Sequence, residues 1–256
     1  MKDHFVIKEA RRIVSLLPGA TEWVCQLGLT DRLVGVSHEC DYPAEVNSLP
    51  RVTRSRIDSQ LSGSEIDAAV RQHSDARMPL YDLDTITLER LAPDLILTQS
   101  LCNVCAVSEQ DVLDSVSRFG HPCRMLDLRA QTFEQVLADA KCIADATGRQ
   151  PQSIRSIDTL QRRVAAIRER STRSTSSRPA VTLLEWVDPL YCSGHWTPEL
   201  IEWAGGEDPI GRIGMPSRAI SPQELFSSDP DVLLVACCGM DASRTRDELS
   251  LWKTAQ

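Results

Sequence analysis

Residues 12–22, RIVSLLPGATE, decide the fold, because a short apolar run is followed at once by a Pro-Gly break and a helical pattern. The run at 12–17 predicts a buried strand, and residues 20–27 predict a helix. Helical patterns separate three further apolar runs, at 33–37, 94–98 and 123–128. Strands that alternate with helices predict βαβ units around a mostly parallel sheet.

A second alternating half follows one long helical pattern. Its apolar residues are spaced 3, 3, 4 and 3 apart, as on one face of a helix: Ile154, Ile157, Leu160, Val164 and Ile167. We therefore predict two α/β lobes with one long helix between them. The predicted division has an N-terminal lobe at 1–150, a linker helix and hinge at 151–178, and a C-terminal lobe at 179–256. For the C-terminal lobe, a truncated form is one of the two expectations.

Composition excludes several classes of protein. The chain has 256 residues with a formal net charge of −8, and a nucleic-acid binder needs a basic face. No apolar run approaches the roughly 18 residues of a membrane span, so we expect no direct membrane insertion. The first twelve residues lack the basic and apolar regions of a secretory signal. This predicts a cytoplasmic protein as the sequence stands, or a periplasmic or cell-surface one if a leader has been trimmed.

Three stretches resemble a known family. They are SLLPGATE at 15–22, LERLAPDLIL at 88–97, and SPQEL at 221–225 followed by PDVLLV at 230–235. On these the chain resembles the helical-linker class of ABC-transporter solute-binding proteins. Within that class it is similar to the vitamin B12-binding branch of the iron-siderophore/cobalamin family. The resemblance implies an α/β fold of two Rossmann-like lobes with mostly parallel sheets, joined by a single long helix, with a ligand clamped between them.

The resemblance also implies a function. It predicts a non-catalytic protein that binds a corrinoid (cobalamin-like) ligand, with haem or an Fe-siderophore as alternatives. Such a small-molecule metal chelate would be delivered to an ABC-transporter membrane subunit. An acidic residue from each lobe docks on the transporter in this family. Glu89 and Glu224, which are predicted to occupy like positions on short helices, one in each lobe, are the candidates here.

The candidate ligand residues lie in loops that follow predicted strands, because ligands bind at the carboxyl ends of parallel strands. Pro18-Gly19-Ala20 could present backbone N–H groups, and Trp186 and Trp196 could cover a flat macrocycle. We expect the loops after the strands to meet at one mouth. The full candidate set is Pro18, Gly19, Ala20, His38, Cys40, Gln99, Trp186, Asp188, His195, Trp196 and Gly239.

Cysteines leave a second hypothesis open. The chain has nine, and Cys102 and Cys105 form a C-x-x-C motif after the third strand. Thiolate and imidazole bind soft and borderline metals directly. A cytosolic metal-thiolate protein or enzyme that reuses the fold is therefore the alternative, with the metal held by Cys102, Cys105 and either His38 or His195. Packing of these thiols in the core stays open beside it.

Overall fold

The computed structural model describes residues 9–76, 78–99, 109–173 and 177–254. The strands are β1 Ile13–Ser15, β2 Leu33–Val36, β3 Thr53–Ser55, β4 Tyr81–Leu83, β5 Leu95–Thr98, β6 Arg124–Asp127, β7 Val181–Val187, β8 Leu190–Cys192 and β9 Val232–Val235. The helices are α1 Pro18–Gln26, α2 Gly63–Asp75, α3 Thr85–Leu91, α4 Glu109–Val116, α5 Phe133–Thr147, α6 Gln150–Thr172, α7 Thr197–Trp203, α8 Pro222–Ser227 and α9 Ala242–Thr254.

The chain forms two compact units. Unit 1 holds residues 1–57, 73–129 and 137–158, and unit 2 holds residues 58–72, 130–136 and 159–256. The division passes through the long helix α6, and also through α2 and α5. The α/β fold class predicted from the sequence is confirmed, while the lobe boundaries at 150 and 178 stay a prediction.

Unit 1 contains a four-stranded parallel sheet in the order β2-β1-β5-β6. Ile13 packs in a cluster with Val24 of α1 and Ile143 of α5. The next residue, Val14, packs in a second cluster with Leu88 of α3. Successive side chains of a strand point to opposite faces, so both faces of this sheet are covered by helices. A small antiparallel pair, β3-β4, belongs to the same unit.

Unit 2 contains a three-stranded sheet in the order β8-β7-β9. The pair β7-β9 is parallel, and β8 returns antiparallel to β7 as a hairpin. Leu184 and Leu225 lie in its core cluster, against which Trp252 of α9 packs. At the edge of the sheet, the apolar side chains at 232–234 of β9 remain exposed.

Candidate functional site

Three predicted ligand loops of unit 1 lie at one edge of its sheet. The strands are parallel neighbours, so Gly19 after β1, His38 after β2 and Gln99 after β5 all follow carboxyl ends. Pro18 and Gly19 are exposed at the start of α1. Pro18 has no N–H, so Gly19 and Ala20 supply the amides that precede the first bond of the helix, from Thr21 to Leu17. Ala20 is buried in the core, so only its backbone could serve a ligand.

The His38 loop is held by neighbouring residues. Thr53 Oγ1 accepts the backbone amide of His38 at 3.0 Å and lies 2.7 Å from its Nδ1. His38 Nε2 lies 3.2 Å from Glu39 Oε1, at ion-pair distance but outside hydrogen-bond geometry. Close polar contact with the His38 side chain lowers the pKa of Glu39, against the opposing effect of its partial burial. Arg51 donates to the carbonyls of Ser37 and Cys40, which fixes the loop on both sides of His38.

Cys40 is a core thiol rather than a surface group. Its side chain is fully buried in the first cluster of unit 1 and lies 3.1 Å from Thr21 Oγ1. A ligand would have to displace core side chains to reach its sulfur, so Cys40 is not a ligand-binding residue of this edge.

The corresponding edge of unit 2 carries Trp186, Asp188 and Gly239. Asp188 follows the carboxyl end of β7, and Gly239 lies beyond the end of its parallel neighbour β9. Trp186 was expected in a loop, but it lies within β7. Its indole N–H points at two carbonyls, those of Gly63 and Asp188, both at 3.1 Å. The ring is half-buried, and its polar atom already has partners inside the unit.

Helix α9, which was not predicted from the sequence, holds residues 59–63 at this edge by hydrogen bonds. Arg244 donates to the carbonyl oxygens of Ser59 and Leu61, and Glu248 accepts the amide of Gly63 at 2.9 Å. The sequence did contain a signal for the start of α9: Asp241, two residues after Gly239, is an N-cap residue. It accepts the amide of Arg244 at 2.8 Å. Two charged residues of α9 therefore fix residues 59–63 beside Trp186.

His195 and Trp196 lie away from that edge, so the expectation of a single mouth is wrong within unit 2. Strand β8 runs antiparallel, with Leu190 opposite Val187 and Cys192 opposite Leu184. The chain thus reaches His195 only after moving back along β7. There the His195 and Trp196 rings lie 6.0 Å apart, and 37% of Trp196 is exposed.

The described residues do not support the hypothesis that thiols and histidines bind a metal. No group of three or more metal-binding side chains is found among them, and Cys102 and Cys105 lie outside them. His38 has one ring nitrogen at Thr53 and the other facing Glu39. None of the seven cysteines in the described part of the chain forms a disulfide.

The two predicted docking acids differ in their surroundings. Glu89 is exposed, whereas Glu224 forms an ion pair with Arg218, whose Nη1 lies 3.2 Å from Glu224 Oε2. Hydrogen bonding from Arg218 lowers the pKa of Glu224. The two acids do not occupy like positions, because Glu224 is the third residue of α8 and Glu89 is the fifth residue of α3.

Comparison with known proteins identifies the family. A family model described as periplasmic binding protein matches residues 13–253. The chain belongs to this family. Its members are binding proteins, and the two sheet edges described above are where a ligand of such an α/β fold is expected.

Several relatives have names that specify a ligand. The chain is 25% identical over 230 residues to the vitamin B12-binding protein of Yersinia pestis, covering 89% of this chain and 70% of that protein. A periplasmic vitamin B12-binding protein of Vibrio cholerae has a TM-score of 0.63 at 19% identity, covering 96% of this chain and 86% of that one. A periplasmic haem-binding protein of Pseudomonas aeruginosa has a TM-score of 0.68 at 21% identity, covering 94% of this chain and 76% of that one. At these identities the solved structures establish the fold alone.

The family bears on location as well. The expected cytoplasmic location is not supported, because the matched family is described as periplasmic. Within the described part of the chain, no helix is both long and apolar enough to cross a bilayer.

Proposed function

We propose that this chain is the periplasmic or cell-surface solute-binding component of an ABC importer, and that it is not an enzyme. Its proposed solute is a metal chelate, a corrinoid first, with haem or an Fe-siderophore as alternatives. The observation that carries the proposal is the family match across residues 13–253. Relatives named for vitamin B12 and haem support the choice of solute.

The chemistry of the two edges suits such a solute. In unit 1, Gly19 and Gln99 offer backbone and amide groups that can bind the polar periphery of a macrocycle. In unit 2, Trp186 offers an apolar ring whose orientation is fixed by two hydrogen bonds. An aromatic ring of this kind buries roughly 150–250 Å² and suits a flat apolar surface. We propose that both units contribute contacts.

A titration tests the proposed solute. The purified protein is titrated with cobinamide, cyanocobalamin and haem, and the absorption spectrum and the heat of binding are recorded. We expect saturable binding of one equivalent of at least one of them. Failure of all three to bind would remove the macrocycle from the proposal.

Trp186 and Trp196 form a matched pair for locating the site. Because only Trp186 lies at the carboxyl edge, Trp186→Ala should weaken binding at least tenfold, and Trp196→Ala should change it less than threefold. Trp186→Phe keeps an aromatic ring but loses the N–H bonds to Gly63 and Asp188. It therefore distinguishes the contribution of ring stacking to ligand affinity from that of the hydrogen bonds that fix the ring. The reverse order of effects would move the site to the other end of β8.

Transport requires docking on the membrane subunits. We propose that Glu89 and Glu224 contribute to docking, as acidic residues that meet basic ones on the partner. The double variant Glu89→Lys/Glu224→Lys should abolish uptake and leave ligand affinity unchanged. Loss of ligand binding in that variant would instead place these residues in the ligand site.

A further inference from the structure

Helices α3 and α8 are built on the same plan, one in each unit. Asp84 caps α3 by accepting the amide of Thr87 at 2.9 Å, and Ser221 caps α8 by accepting the amide of Glu224 at 3.0 Å. Four residues after each cap stands a buried leucine, Leu88 or Leu225. Each leucine donates its amide to the carbonyl of its own cap residue.

The correspondence continues beyond the helices. Ala92 and Asp229 both have positive φ, 45° and 40°, and each is followed by Pro-Asp and a strand. The aspartates act alike, because Asp94 accepts the amide of Arg12 at 2.9 Å and Asp231 accepts the amide of Ala180 at 2.8 Å. Each of these amides immediately precedes the neighbouring parallel strand. Residues 84–95 and 221–232 therefore match one to one.

This match places the two most exposed large apolar side chains of the described residues on equivalent helices. Ile86 is 80% exposed and Phe226 is 68% exposed. Ile86 corresponds to Gln223, and Phe226 corresponds to Glu89. The two positions are three residues apart and so lie on one helix face. Each helix thus presents one apolar and one polar side chain there, in opposite order.

One exposed apolar residue needs no explanation, but a matched pair on equivalent helices does. Burial against a partner would remove both side chains from water. Glu89 and Arg90 are both exposed beside Ile86, so the charges next to this side chain nearly cancel. The net charge of −8 of the whole chain disfavours a second copy as the partner and favours a partner with a basic surface.

We propose that Ile86 and Phe226 are the apolar anchors through which the two units dock on the importer's membrane subunits, each entering an apolar pocket on a partner whose surface is basic. This inference rests on the proposed transport role. It assigns the apolar contact of unit 2 to Phe226, next to a glutamate whose charge is already paired with Arg218. Apolar anchors surrounded by polar groups are typical of residues that dominate binding at an interface.

The test compares two double variants. Ile86→Ser/Phe226→Ser removes the anchors, and Ile154→Ser/Leu200→Ser removes one exposed apolar residue from each unit at other sites. Binding is measured to the membrane subunits of the source organism's corrinoid importer in nanodiscs. We expect the anchor variant to bind about 100-fold more weakly, roughly tenfold per side chain, and the control variant to stay within threefold. Both variants should keep wild-type affinity for cobinamide.

Three results would overturn the inference. If the wild-type protein binds the importer and the anchor variant binds equally well, the anchors are wrong and the transport role stands. If the wild-type protein binds no importer, the inference and the transport role fail together. If the wild-type protein sediments as a dimer that the anchor variant dissociates, the two side chains serve a second copy of the chain instead.

Discussion

Gly194 has no room for a side chain. A Cβ atom there would collide with the backbone nitrogen of Ser217 and lie 2.7 Å from the carbonyl oxygen of Met215. These are backbone atoms of the segment that also hydrogen-bonds to His195 on both sides, so neither can move alone. The local fold around His195 therefore depends on the missing side chain.

Gly194→Ala should lower the free energy of unfolding by about 1–3 kcal/mol, the usual cost of overpacking. Gly19→Ala is the matched control, because nothing lies within 4 Å of the Cβ position there. The control should leave stability unchanged or raise it by about 0.4–1 kcal/mol. Urea unfolding of both variants measures the difference, and equal stabilities would contradict the crowding seen at Gly194.

The Arg218–Glu224 ion pair predicts a pH dependence. The pKa of Glu224 is lowered in the folded state, so the pair stabilises the protein above the unfolded-state pKa. This contribution is lost as the pH falls through the folded-state pKa. Arg218→Ala should raise the pKa of Glu224 towards its ordinary value, as followed by carboxyl-carbon NMR.

The effect of Arg218→Ala on stability should be small. Both side chains are more than one third exposed, so the loss at pH 7 should be at most about 1 kcal/mol. The loss should vanish at a pH well below the folded-state and unfolded-state pKa values of Glu224, where the carboxyl is protonated in both states. Arg212→Ala, which removes another exposed arginine, should leave the Glu224 titration unchanged. An identical Glu224 pKa in wild type and Arg218→Ala would contradict the pairing.

At the scale of an element, α9 fixes residues 59–63 through one carboxylate and one guanidinium. Glu248→Ala leaves the amide of Gly63 without its acceptor in a buried position, at a cost of about 1–3 kcal/mol. Hydrogen exchange of peptides that cover residues 59–66 should become faster. Glu248→Gln keeps an acceptor oxygen and should restore most of the protection.

The exposed neighbour Asp247 supplies the control for this prediction. Asp247→Ala should leave exchange at 59–66 as in wild type. Faster exchange in both variants would mean that α9 is loosened as a whole, rather than that a specific hydrogen bond is lost.

Elements that carry a clear apolar run or a strong helical period were predictable from the sequence, and elements without such a pattern, including the long helix α9, were not. The sequence pattern predicts helices at 133–147 and at 153–170. Helix α5 has the predicted bounds, Phe133–Thr147, and α6, Gln150–Thr172, is two or three residues longer at each end. Strands β3, β4 and β8 were missed because none of them lies in a longer apolar run, whereas β1, which also has three residues, lies within the run at 12–17. The hairpin formed by β8 is also what separates Trp196 from Trp186.

The candidate site was predictable only as far as the order of the strands. That order places Gly19, His38 and Gln99 at one edge of unit 1. The burial of Cys40 was not visible in the sequence, because a cysteine in a polar stretch gives no sign of which way it points. The sequence paired α3 with α8 in the wrong register, by matching Glu89 with Glu224, since the two stretches share only Leu, Pro and Asp at matching positions.

At the scale of the whole molecule, the decisive question is whether a solute stabilises one unit or both. A ligand that binds only the native state raises its stability, by about 2.7 kcal/mol at 100 times the dissociation constant. If both units contribute contacts, the slowest-exchanging amides of both sheets should gain protection. The reporters are β5 in unit 1, where residues 95–98 are buried, and β7 in unit 2.

We therefore expect saturating cobinamide, or whichever macrocycle binds, to slow exchange in β5 and β7 together. Trp186→Ala should reduce the gain in both strands, because weaker binding lowers the stabilisation of every unit that the ligand contacts. Protection confined to β7 would mean that unit 2 binds the solute alone, and protection confined to β5 would assign it to unit 1. Either pattern would contradict a solute held by both units while leaving membership of the family intact.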